Sequence, residues 1–240
     1  MENFLEINYE KNMSMLSLAV FYCMQEFSHD DLINELYNDN ELKKQLCLIE
    51  LDKINSQKEA DILVSNLTGK SSPIRETASY KISELIKQND LNKFFQQKDI
   101  LNTFVKAITD INPSVSRNTI EIICHVEDKQ YLYNRIVSEM NKTLSEMENI
   151  VQARSYFVNK KNFNLYWSLE AIADIAGGIK AGEEMMSVLS KTALSNDYTI
   201  REKTAKAARE LSKQNPEFCA VLKLMQNDEN IYVRKYLDKF

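Results

Sequence analysis

The chain has 240 residues, 44% of them hydrophobic and 27% charged, a balance that fits a folded chain and excludes a disordered one. Only four Gly and three Pro supply its turns, too few for a β-rich fold, and abundant Leu, Glu, Lys, Ala, Met and Gln favour an all-α chain. The net charge of −5 is a poor match to general nucleic-acid binding, but it is uneven: residues 1–60 carry −7 and residues 199–240 carry +3.

In chain order, the first apolar segment is Ser14–Phe27. Its apolar run Met15–Met24 is shorter than the roughly 20 residues needed to cross a bilayer, and Glu2, Glu6 and Glu10 ahead of it are unlike a secretory leader. This helix is apolar nearly all round. Either the acidic residues 1–12 fold over it, or it meets a second chain, which would give a homodimer. Ser28–Asp31 reads as a helix start, with Ser28 as cap and Asp31 as the reciprocal carboxylate. Asn38–Lys43 opens a helix carrying Leu46, Ile49 and Ile54, and the turn Gly69–Pro73 precedes Ile74, Arg75 and a helix to Lys87. Asn112–Ser116 opens a helix carrying Ile120, Ile123 and Val126. A long stretch from Gln130 to Lys161 follows, then a helix from about Asn164 carrying Leu169, Ile172 and Ile175. Gly177–Gly182 reads as a flexible loop and lacks the spacing of a phosphate-binding loop. The turn Ser195–Thr199 precedes Ile200, Arg201 and a helix to Lys213, and Asn227–Arg234 ends the series.

These segments repeat one another. Arg75–Lys87 lies over Arg201–Lys213 without a gap, with five of thirteen positions identical, and each segment follows an Ile and a turn. Anchors near Lys43, Arg75, Ser116, Tyr166, Arg201 and Arg234 recur at intervals of 32, 41, 50, 35 and 33 residues, which suit a two-helix unit. A turn followed by an aliphatic–Arg pair opening a second helix resembles the HEAT repeat. The resemblance implies an all-α, right-handed α-α superhelix of the HEAT or armadillo kind, one domain over residues 1–240 with a capping helix in 1–29 and about six repeats. Leu85, Ile123, Ile172 and Leu211 should then occupy equivalent core positions, and Arg75 and Arg201 should both reach a turn or helix of a neighbouring repeat. The inner helices would line a concave face, where HEAT proteins hold a protein or peptide.

No catalytic constellation stands out. Cys23, Cys47, Cys124 and Cys219 are scattered among apolar residues and read as small hydrophobes in a reducing, cytoplasmic setting. His29 and His125 are the only imidazoles, so no metal site and no cofactor are expected. Two segments could meet a partner. Lys203, Lys206, Arg209 and Lys213 recur at helical spacing and would suit an acidic protein segment, with Lys235 and Lys239 extending the stripe. Lys160 and Lys161 lie beside Tyr166 and Trp167, the only Trp, where aromatics and cations mix. The leading expectation is a non-enzymatic protein-binding scaffold with no membrane span. The alternative rests on similarity to HEAT-like DNA glycosylases of alkylated bases, with Trp167 and Asp174 sharing a helix face.

Overall fold

The computed structural model describes residues 15–148 and 155–237. Among them there is no strand. The helices are α1 Met15–Cys23, α2 His29–Glu35, α3 Glu41–Glu50, α4 Gln57–Ser65, α5 Ser72–Leu85, α6 Asn89–Asn92, α7 Lys98–Ala107, α8 Pro113–Cys124, α9 Lys129–Glu148, α10 Ser155–Ile175, α11 Glu183–Ala193, α12 Tyr198–Ser212, α13 Cys219–Leu224 and α14 Ile231–Arg234. Residues 1–12 and the reading placed on them lie outside the described residues.

Local chemistry starts these helices. Ser28 and Asp31 form the reciprocal capping pair at α2, and Asn40, Ser56, Asn112, Asp197 and Asn230 accept a backbone N–H at the heads of α3, α4, α8, α12 and α14. Pro113 opens α8 and Pro73 is the second residue of α5, positions where a missing N–H costs nothing.

The chain forms two compact units, residues 1–94 and 95–240. In the first, α1 and α2 pack on α3, α3 packs on α5, and α4 closes against α5. In the second, helices alternate between two layers: α7, α9, α11 and α13 follow one another in the first, and α8, α10, α12 and α14 in the second. Each helix pair buries an apolar face against its neighbours, which is the packing logic of a repeat solenoid. The repeat alignment holds in the core, where Leu85, Ile123, Ile172 and Leu211 are 1%, 0%, 0% and 3% exposed. On α3 the expected stripe is rotated. Cys47, Leu48 and Leu51 face the core, Ile49 points outward at 54% exposure, and the buried Ile54 lies beyond the end of the helix.

The basic anchors have a common job. Arg75 donates to the carbonyls of Gly69 and Lys70 (both 3.0 Å), Arg234 to those of Asp228 (3.1 Å) and Glu229 (2.8 Å), and Arg201 to that of Ser195 (2.8 Å). Each pins the turn ahead of its own helix through a carbonyl six residues back. Ser116, where the alignment loses its Arg, makes the same bond with a shorter arm, its hydroxyl donating to Asp110 O at 3.0 Å. Arg201 also pairs with Asp228 at 2.5 Å, so it ties α12 to the next turn. Counted from the cap, the matching position on α3 is Lys44; Lys43 instead bonds Glu35 at 2.8 Å.

The long stretch Gln130–Lys161 includes most of α9 and the start of α10, which run 20 and 21 residues against 10 and 12 for α7 and α8. It therefore contributes to a lengthened helix pair. The Gly177–Gly182 segment is not the expected loose loop. The Gln130 amide accepts from Lys180 N (2.7 Å) and donates to Lys180 O (3.3 Å), while Ile179 is buried.

Candidate functional site

The sequence-marked residues gather where α10 meets α12 in the second layer. Two features stand side by side there, an aromatic groove and a ladder of ion pairs.

The groove, about 350 Å³, is lined by Asn159, Asn162, Phe163, Tyr166 and Trp167 from α10 and by Asp197 and Thr199 at the head of α12. Trp167 packs edge-on against Phe163 and Tyr166 and is only 9% exposed. Its indole N–H is buried and has no hydrogen-bond partner among the described residues. Asn162 donates to Asp197 at 3.1 Å, and Asp197 also caps α12 by accepting from Thr199 N at 2.9 Å. The groove walls are thus set by a helix cap and by aromatic packing.

The basic stripe is not a row of free cations. Lys203 reaches Glu170 at 3.0 Å and sits 4.7 Å from the centre of the Tyr166 ring. Lys206 bridges Glu170 (2.8 Å) and Asp174 (2.7 Å). Burial disfavours charge on these groups, yet their mutual contacts outweigh it: Glu170 is held below its ordinary value of 4.5, and Lys203 and Lys206 above theirs of 10.5. Arg209 bonds the Lys235 carbonyl at 3.4 Å, Lys213 pairs with Glu210, and Lys235 with Glu202. Lys160 is exposed beside the groove, whereas Lys161 turns to Glu146 on α9. The expectation of an open cationic face is therefore corrected for Lys203 and Lys206, because two carboxylates one helix away neutralise them. Asp174, which the glycosylase alternative pairs with Trp167, has one carboxylate oxygen held by Lys206 at 2.7 Å.

Sequence reasoning missed Asn159, Asn162 and Asp197 as groove residues. Asp197 was visible only as part of a turn, and nothing local marks two asparagines at helical spacing. Cys23 is exposed and Cys47 buried, and burial, then the neighbouring Glu35 charge, pushes the Cys47 thiol up to about 11. Among the described residues no group of His, Cys, Asp and Glu is placed to hold a metal ion, and no helix is long and apolar enough to cross a membrane.

No protein-family model and no curated protein matches the chain. Solved structures do. A designed armadillo repeat protein in complex with the peptide (KR)4 is similar at a TM-score of 0.50 and 14% identity, over 88% of this chain and 97% of that one. A computationally designed armadillo repeat protein for modular peptide recognition matches at 0.48 and 16%, over 88% and 97%. The archaeal HEAT-like repeats protein of Thermococcus onnurineus NA1 matches at 0.46 and 10%, over 89% and 78%. With the two-layer packing, the first of these likenesses identifies the fold as an all-α repeat solenoid of the HEAT/armadillo kind.

Proposed function

We propose that this chain is a non-enzymatic scaffold that holds a protein or peptide segment against its second-layer helices, at the groove between α10 and α12. The observation that carries the reading is the groove itself, in which three aromatic rings meet an amide and hydroxyl rim made by Asn159, Asn162 and Thr199. Rings supply contact area at little entropic cost, and amides can bond a peptide backbone without selecting a charge. The buried Trp167 N–H supports it. An unmet donor costs about 1–3 kcal/mol, and a partner that turns the ring toward an acceptor would recover part of that. In solenoids of this kind the stacked second helices form an extended binding surface. The setting is read as cytoplasmic, consistent with four free cysteines.

Trp167 is the only Trp, so the groove contains its own probe. Peptides selected from a random library should shift the Trp167 emission, and Tyr166→Ala with Asn162→Ala should weaken them by about tenfold or more. Selected peptides that leave the emission unchanged and bind the double variant normally would place the partner elsewhere. Duplex DNA binding that falls steeply with salt would favour the nucleic-acid reading instead.

A further inference from the structure

A cluster of cations with no ion pair among the described residues lies away from the basic stripe, in a cleft of about 350 Å³ between α7, α9 and α10. Lys106 lines it from α7, Arg135, Glu139 and Lys142 from α9, and Asn164 and Ser168 from α10. It follows from the lengthened α9–α10 pair, because Glu139–Thr143 belong to the half of α9 beyond the length of α7.

We propose that this cleft is a binding site for a phosphomonoester carried on a serine or threonine of a protein partner. Three observations support the assignment. First, Lys106 and Lys142 reach no carboxylate among the described residues, whereas Lys161, Lys203, Lys206, Lys213 and Lys235 in the same unit each have one. Second, Arg135 is oriented from behind. Its Nε donates to Asn102 Oδ1 at 3.2 Å, and that oxygen also accepts from the Tyr131 hydroxyl at 2.9 Å. Lys98 Nζ lies 5.5 Å from the Tyr131 ring centre and steadies the chain further. The terminal nitrogens of Arg135 make no bond among the described residues, so a guanidinium fork suited to two oxygens of one anion is held in place and unspent. Third, three cations against the single Glu139 leave a formal +2, which matches the charge of about −1.5 to −2 on a phosphomonoester and exceeds that of one carboxylate. The buried Thr143 and Ser168, both hydroxyl-bearing, line the same cleft.

A protein source for the phosphate rests on the scaffold reading. α10 serves both sites, presenting Asn162, Tyr166 and Trp167 on the side of α12 and Asn164 and Ser168 on the side of α7 and α9.

The test uses the full chain, ¹⁵N-labelled, and follows the Arg135 Nε–H signal. Four probes are titrated: inorganic phosphate, a Gly-Ser peptide carrying one phosphoserine, the same peptide with Ser, and the same peptide with Glu. The phosphopeptide should shift the signal and bind about tenfold or more tightly than the Ser and Glu peptides, and more tightly than inorganic phosphate. Arg135→Lys, and separately Lys106→Gln with Lys142→Gln, should weaken it by about tenfold while the melting curve stays in place, since all three side chains are substantially solvent-exposed. Equal affinity for free phosphate overturns the protein-borne source, and equal affinity for the Glu peptide overturns the phosphate. Unchanged binding in the variants, or no shift with millimolar phosphopeptide, overturns the site. Tyr166→Ala with Asn162→Ala should leave this binding intact, so failure of the groove and failure of the cleft appear in different variants.

Discussion

Glu170→Gln tests whether the ladder between α10 and α12 holds the second layer together. Glu170 receives Lys203 at 3.0 Å and Lys206 at 2.8 Å, with its side chain 20% exposed. Removing the carboxylate charge leaves Lys206 with Asp174, 2.7 Å away, but leaves Lys203, 9% exposed, with the Tyr166 ring and a neutral amide oxygen in place of its carboxylate. Breaking a fully buried pair costs about 3–5 kcal/mol. A charge-assisted hydrogen bond contributes about 1.5–3 kcal/mol, and the retained cation–π contact offsets about 0.5–1. The partial exposure here puts the expected loss near 2 kcal/mol, or about 4–8 °C in melting temperature for a chain of this length. Lys213→Gln, whose pair is 62% exposed at the lysine, should change stability by less than about 0.5 kcal/mol. Because folding lowers the Glu170 pKa below 4.5, its contribution is complete above that value and disappears as pH falls through the lower, folded value. The variant should therefore lose least, relative to the parent, at the acid end, and its deficit should be constant from pH 6 to 8. Urea unfolding followed by Trp167 fluorescence measures both. A deficit under about 0.5 kcal/mol at pH 7 refutes the ladder as a structural element.

Ser116→Ala removes a fully buried hydroxyl and its bond to the Asp110 carbonyl, so it should cost about 1 kcal/mol in urea, whereas Ser114→Ala, part-exposed on the same turn, should cost little. Leu211→Ala empties a site that is 3% exposed and should cost about 2–5 kcal/mol; a loss under about 0.5 would mean that the repeat register is wrong. With its pKa at about 11, Cys47 is thiolate in only about one molecule in a thousand at pH 8, so a disulfide reagent should label exposed Cys23 first and Cys47 only on unfolding, as mass spectrometry of timed samples would show.

The repeat was legible because it is written in local chemistry. Turn residues, helix caps and an aliphatic–Arg pair all lie within about ten residues of one another, and the carbonyl six positions back from Arg75, Arg201 or Arg234 follows from the turn alone. Even the departure at Ser116 preserved the bond, which no residue-type comparison would reveal, because a hydroxyl and a guanidinium share only their ability to donate. The stripe on α3 misled for another reason: Leu46 and Ile49 fit a helical period, but so do Cys47, Leu48 and Leu51, and it is this second face that packs, turning Ile49 outward.

Charge was the part that could not be read locally. The partners of Lys203 and Lys206 lie 32 to 36 positions away, one repeat earlier, so the sequence shows the cations and hides their neutralisation. The converse holds at the α7–α9–α10 cleft, where Lys106, Arg135 and Lys142 are unremarkable in a sequence with 30 basic residues and become a cluster only when α7 packs beside α9. A basic stripe on one helix of a solenoid is the arrangement most easily matched by carboxylates on the preceding helix, since the repeat places equivalent faces opposite one another. At the cleft, three cations from α7 and α9 share only Glu139. The lengthened α9–α10 pair is one place where such charge collects, because Glu139–Thr143 extend beyond the length of α7.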